Sequence, residues 1–203
     1  PPATKPPPNS SIIPAASYGL AIAALAARCG TSRSSRMIDA DLPPSSRKTR
    51  ATRSAALAMI RLPTRMSDGK ANLHQGAIGV GIDIPTGLTR RGVWGKELIK
   101  EHPDTESSIA GLQIPRWDEL LMIGAKAYEL CELGYVGVDI VLDRNLGPLI
   151  LELNARPGLA IQMANGNGLL NRLHKIQELE RAGALSKDPA ERVAFAKANF
   201  PTA

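Results

Sequence analysis

Periodic spacing of apolar residues begins only near residue 55 of this sequence. Apolar runs bounded by turn residues predict strands at 57–64, 77–84, 88–94, 136–142 and 148–154. Apolar residues at helical spacing predict helices at 117–133, 169–181 and 189–199. Hairpins mixed with helices indicate an α+β domain.

The first 54 residues have a different pattern. The segment opens Pro-rich and continues Ser- and Arg-rich without a period of 2 or 3.6, while its apolar stretch at 17–29 indicates a short helix. We therefore divide the chain into a low-complexity, disordered or non-native segment at 1–54, a folded lobe at 55–183 and a helical tail at 184–203.

Composition and charge narrow the class of protein. Hydrophobic residues make up 43% of the chain and aromatic residues 3%, so the core must be mainly aliphatic. Residues 1–65 hold ten Lys and Arg against two Asp and Glu, a net +8, whereas the remainder carries fifteen against seventeen, a net −2. A basic segment of this kind can bind nucleic acid or acidic lipid. We favour a solvated segment and expect no nucleic-acid partner.

Cysteine use and hydropathy bear on location. Cys29 and Cys131 have neither zinc-site spacing nor a disulfide framework, which favours a reducing compartment. The apolar stretch at 15–29 is too short to cross a bilayer. We expect a cytoplasmic protein without a membrane partner.

The two strands at 136–142 and 148–154 carry the candidate chemistry. If Asp143 lies opposite Pro148 in a hairpin, Leu142 pairs with Leu149, Ile140 with Leu151 and Val138 with Leu153, which builds one apolar face. The same alternation places Asp139 opposite Glu152, and Gly137 opposite Asn154, on the other face. A slip by one residue would bury the carboxylates, so the register is well specified.

Two facing carboxylates repel each other unless a cation lies between them. Two carboxylates and an amide oxygen are hard ligands, suited to Mg²⁺ or Mn²⁺ shared with phosphate oxygens. The alternative is a pair of acids on the solvent face of a sheet. Periodicity alone leaves both interpretations open.

The stretch VGVDIVLDRNLGPLILELNARPG closely resembles the metal-binding strands of ATP-grasp enzymes, with an Asp on one strand, Glu-x-Asn on the next and a Pro-Gly turn. IRLPTRMSDGKANLHQGA resembles the loop by which that superfamily approaches the ATP phosphates. Together these two stretches resemble the RimK-type glutamate ligases. HPDT, IPRWDELL and LNARPGLAIQMANGNGL are more similar to the alpha-L-glutamate ligase-like proteins and to the sugar-transfer-associated ATP-grasp proteins. The resemblance covers about residues 57–181 and implies the C-terminal lobe of the ATP-grasp fold, a sheet with packed helices.

The resemblance assigns roles by position. Asp139, Glu152 and Asn154 match the family's ligands for two Mg²⁺ (or Mn²⁺) ions. Three further positions, Lys70, Ala71 and Asn72, match a basic-x-Asn stretch that contacts the nucleotide. Arg61 matches a basic position that either meets phosphate or pairs with an acid. Arg156 is the candidate catalytic residue, stabilising the transferred phosphoryl group or the tetrahedral intermediate, unless it only bonds to loop carbonyls.

The implied activity is ATP-dependent ligation of a carboxylate, with glutamate suggested by similarity, to an amine through an acyl phosphate. Nothing in residues 1–54 matches the family's nucleotide-binding lobe, so we expect a truncated enzyme with weak nucleotide binding alone. An inactive ATP-grasp remnant acting as a binding module, and a nucleic-acid-binding protein, are the alternatives. The acid, the amine and the oligomeric state stay open.

Overall fold

The computed structural model describes residues 19–26, 53–131, 135–182 and 188–201, together with positions 184 and 186. The strands within these residues are β1 (Gly19–Ala26), β2 (Arg53–Leu62), β3 (Ile78–Ile82), β4 (Thr89–Trp94), β5 (Glu97–Ile99), β6 (Tyr135–Asp143) and β7 (Gly147–Asn154). The helices are α1 (Trp117–Cys131), α2 (Ala160–Asn165), α3 (Leu170–Arg181) and α4 (Pro189–Asn199), with a short 3-10 helix at Leu73–Gln75.

The strands form a single antiparallel sheet in the order β5-β4-β3-β2-β1-β6-β7. Each of the hairpins β2–β3, β3–β4 and β6–β7 joins strands that are neighbours in both sequence and space. An antiparallel sheet covered by helices is an α+β arrangement, so the predicted fold class is confirmed.

The two faces of the sheet pack against different helices. One face buries the even-numbered residues of β2, including Ala58 and Ile60, in a core shared with α1 and α4. The other face buries Leu57 and Met59 of β2 against Ile161 and Ala164 of α2. Because side chains alternate along a strand, β2 supplies both layers, and the second layer carries the candidate site.

Strand β1 corrects the predicted helix at 17–29. Residues 19–26 are all Gly, Ala, Leu or Ile, and such a short apolar run fits a buried strand as well as a helix. Pairing decides the outcome, since β1 is hydrogen-bonded to β2 on one side and to β6 on the other. The disorder predicted for the rest of 1–52 concerns residues outside those described.

The other elements follow the predicted pattern with two omissions. The helices α1, α3 and α4 lie where the apolar spacing places them. The sequence interpretation missed β5, which has only three residues, and α2, which lies in the glycine-containing stretch at 155–168 where no helix was predicted. Six residues are too few to show helical periodicity, and α2 has no side-chain N-cap to mark its start.

Candidate functional site

The β6–β7 hairpin places the candidate ligands as the sequence predicts. Asp139 pairs with Glu152 and Gly137 with Asn154, so the three polar residues lie on neighbouring strands. Asp139 and Glu152 are therefore directly opposite each other, at the separation where like charges repel.

Toward its turn, the hairpin departs from the predicted register. A bulge between Asp139 and Ile140 shifts the pairs by one, so Ile140 faces Ile150, and the predicted pairs Ile140–Leu151 and Leu142–Leu149 are wrong. The turn sets this second register, because the Asp143 side chain accepts hydrogen bonds from the backbone N–H groups of residues 145 and 146. Those bonds hold the pKa of the Asp143 carboxyl below its ordinary value. Leu151 is left 66% exposed, so the predicted apolar face is not continuous.

An arginine from another strand meets the candidate ligands. The Nη2 atom of Arg61 lies 2.5 Å from Oδ1 of Asp139, and the two side chains are 24% and 25% exposed. Arg61 is opposite Gly19 of β1, and Asp139 is opposite Ala21 of the same strand. The arginine thus reaches across β1 from β2 to β6.

This ion pair changes the argument about charge. The sequence predicts that two facing carboxylates need a compensating cation, and Arg61 supplies one positive charge in contact with one of them. Of the two roles predicted for Arg61, contact with phosphate or pairing with an acid, the structure shows the pairing with an acid. The arginine also retains unused bonding capacity, because its buried Nε finds no hydrogen-bond partner within the described part of the chain.

The candidate residues border a cavity of about 160 Å³ between the sheet, the loop after β2 and the segment around α2. Of the predicted site residues, Arg61, Asn72, Asp139 and Asn154 line it. The wall also contains Gly137, which the sequence sets opposite Asn154, and His74 of the loop after β2. The sequence interpretation did not place Met59, Leu73, Pro157, Gly158, Ala160 and Ile161 there. The alternation of β2 would have predicted Met59, two residues from Arg61 on the same face.

The remaining predicted residues lie around this cavity but do not line it. Glu152 is exposed beside Asp139, and Arg156 is exposed after β7. Lys70 is exposed, with its Nζ 3.7 Å from Oδ2 of Asp68, and Ala71 is half-buried.

The loop that follows β2 is ordered by its own hydrogen bonds. The Ser67 hydroxyl donates to the carbonyl of Thr64, and the Ser67 and Thr64 side chains accept from each other's backbone N–H. The Asn72 side chain accepts from the backbone N–H of His74 and so caps the 3-10 helix. Asn72 and His74 are therefore held at the cavity rim by local structure.

Asn154 combines a turn with a candidate ligand oxygen. Its Oδ1 accepts a 3.0 Å hydrogen bond from the backbone N–H of Arg156. An amide oxygen has two lone pairs, so this bond fixes the side chain and leaves one lone pair for a second partner. In this turn, Arg156 acts through its backbone N–H, which donates to Asn154.

Gly137 provides room between β6 and the turn after β7. A Cβ at this position would lie 2.8 Å from Cβ of Pro157 and 3.6 Å from Cβ of Asn154. Glycine therefore allows Pro157 to approach β6 closely in the wall of the cavity.

The donor set fits a hard divalent cation in part. No group of three or more His, Cys, Asp or Glu side chains that could hold a metal lies among the described residues. Two carboxylates on paired strands and an oriented amide oxygen nevertheless make the oxygen-only set that Mg²⁺ uses together with phosphate oxygens.

In the described part of the chain, no helix is long and apolar enough to cross a membrane.

Comparison with known proteins identifies the family of this chain. Neither a curated protein nor a solved structure matches the chain. Residues 50–178 match the family model for sugar-transfer associated ATP-grasp proteins, and a RimK-type relationship is not confirmed. This match spans more than half of the 203 residues and includes the whole β6–β7 hairpin, so the chain belongs to the sugar-transfer associated ATP-grasp family.

Proposed function

We propose that this protein is an ATP-dependent ligase that joins a carboxylate to an amine through an acyl phosphate. Family membership supports ATP binding and ligase-type chemistry in general. The observation that carries the finer proposal is the register that sets Asp139 against Glu152 and brings Asn154 to the same end of the hairpin. Such a set suits two Mg²⁺ or Mn²⁺ ions shared with the nucleotide phosphates.

In this proposal, each residue has a separate task. Asp139, Glu152 and Asn154 hold the cations. When bound, the cations neutralise the charge on the phosphate oxygens. Arg61 and Asn72 face the same cavity and bind phosphate oxygens. Lys70 and Ala71, on the loop, contact the nucleotide more peripherally, and Arg156 stabilises the transferred group.

The substrates are proposed only as chemical classes. A substrate carboxylate attacks the γ-phosphorus of ATP, which releases ADP and leaves an acyl phosphate. An amine then displaces phosphate and forms an amide bond. We leave glutamate out of the proposal because the family match does not support it. The family description associates these proteins with sugar transfer, which is compatible with a sugar-linked acceptor.

Calorimetric titration of the chain with ATP, with and without Mg²⁺, tests this proposal. We expect Mg²⁺ to strengthen ATP binding, and Asp139→Asn to weaken Mg²⁺-dependent binding about tenfold or more, because it removes a charged ligand. Asp143→Asn is the matched control, since it removes a carboxylate from the same strand while its amide oxygen can still accept the turn hydrogen bonds. ATP affinity that is independent of Mg²⁺, or equal losses in both variants, would contradict the proposal.

A further inference from the structure

The contact between Arg61 and Asp139 places a fixed positive charge on a candidate metal ligand. We propose that Arg61 is a built-in counter-ion that competes with the divalent cation for Asp139 and turns to the phosphate oxygens of the nucleotide when that cation binds. This inference rests on the proposed function, since it concerns the same site. Arg61 then affects metal binding through its contact with Asp139, and it also binds the anion directly.

The competition follows from distance and charge. Nη2 of Arg61 lies 2.5 Å from Oδ1 of Asp139 and so occupies one of its lone pairs. A Mg²⁺ ion binds carboxylate oxygens at about 2.0–2.1 Å, so an ion on this oxygen would face the guanidinium at close range. Repulsion between the two cations must weaken metal binding unless the arginine moves away.

The cavity provides space into which the Arg61 side chain can turn. Its side chain lines the cavity, together with Asn72 and His74 of the loop after β2. Its buried Nε has no hydrogen-bond partner among the residues that the structure describes, which is a costly condition for a charged donor. An anionic oxygen in the cavity would give that donor a partner and would replace the charge of Asp139.

Two consequences follow for binding. Binding of either the cation to Asp139 or the anion to Arg61 must break the ion pair between these two residues. Once one ligand has broken it, the other can bind without that free-energy cost. The two should therefore bind cooperatively, and the coupling must be reciprocal. A purely structural ion pair would give no such coupling.

The first arm of the test measures Mn²⁺ binding to the full chain by electron paramagnetic resonance, without nucleotide. We expect Arg61→Gln to bind Mn²⁺ roughly threefold to tenfold more tightly than the wild type, because the competing charge is gone. Arg156→Gln removes an equal charge that is not paired with Asp139, and we expect a smaller change. Unchanged or weaker Mn²⁺ binding by Arg61→Gln would overturn the inference.

The second arm measures tripolyphosphate binding by calorimetry in metal-free buffer. We expect Asp139→Asn to bind the anion more tightly than the wild type, because it frees Arg61. Glu152→Gln is the matched control, since it removes a carboxylate from the paired position without touching Arg61. Equal gains in the two variants would show that only net charge matters and would overturn the inference. This arm also decides the matter if Arg61→Gln fails to fold.

The outcomes separate this inference from the proposed function. If Mn²⁺ binds, Asp139→Asn abolishes the binding and Arg61→Gln leaves it unchanged, the metal site stands and the counter-ion role falls. If no variant binds Mn²⁺, with or without ATP, both proposals fall.

Discussion

At the scale of single residues, the charge of Asp139 in β6 is balanced by Arg61 of β2, a strand that is not its neighbour in the sheet. Strand alternation alone predicts that Asp139 faces Glu152. It cannot predict that Arg61 reaches Asp139, because these residues lie on strands far apart in sequence, with β1 between them. The partner of a charged residue depends on the order of strands in the sheet, which local pattern does not determine.

Gly137 provides a prediction at this scale. We expect Gly137→Ala to lower stability by about 1–3 kcal/mol and to weaken Mg²⁺-dependent ATP binding, because its Cβ would meet Pro157 at 2.8 Å. Urea denaturation and calorimetry measure the two effects. Gly158→Ala is the control, since a Cβ there meets no described atom within 4 Å. Equal behaviour of the two variants would contradict a packing role for Gly137.

At the scale of elements, the long helices are predictable because the apolar pattern repeats several times along each of them. The helices α1, α3 and α4 each run for eleven residues or more, long enough for their apolar stripes to appear in the sequence. Strand β1 and helix α2 are not predictable in this way. An apolar run such as GLAIAALA is compatible with either structure, and six residues of α2 complete fewer than two turns.

Helix α3 places a buried arginine, Arg172, against the sheet, in addition to Ile176 in the main core. Arg172 is 7% exposed, donates to the carbonyl of Ala56 in β2 and to that of Pro201, and lies 5.4 Å from the ring centroid of Phe200. Burial lowers the pKa of Arg172 to about 10, although the charge of Asp83 opposes this effect. That pKa still leaves the guanidinium charged at neutral pH.

We therefore expect Arg172→Met to destabilise the protein by about 2–3 kcal/mol, because the buried carbonyl of Ala56 and the carbonyl of the exposed Pro201 lose their donor while the stem volume is kept. The free energy of unfolding in urea measures this loss. Arg181→Met changes an exposed arginine at the end of the same helix and should shift stability by less than about 0.5 kcal/mol. If both variants unfold at the same urea concentration, Arg172 does not anchor α3.

At the scale of the whole molecule, the central sheet depends on a strand outside the family match. The match begins at residue 50, whereas β1 covers Gly19–Ala26 and lies between β2 and β6. Eight register pairs join β1 to β2 and seven join it to β6. The domain boundary near residue 55 stays a prediction, and this pairing supplies a direct way to test it.

We expect a chain of residues 50–203 to lose cooperative unfolding, because two strands would expose the edges that β1 now pairs. Circular dichroism during thermal unfolding measures this. A chain of residues 15–203 is the control, since it also loses an N-terminal stretch but keeps β1 and should unfold as the full chain does. If the shorter chain unfolds with the same midpoint, then residues 55–183 form a domain without β1.

The bulge between Asp139 and Ile140 has a practical consequence for engineering the protein. It separates a hairpin tip, whose register is set by the turn, from a base in which Asp139 pairs with Glu152 and Gly137 with Asn154. Extra residues at Asn145, such as a short epitope or a dye-binding tag, should be absorbed on the tip side of the bulge. A reporter attached there would follow the hairpin without disturbing the pairing of Asp139 with Glu152.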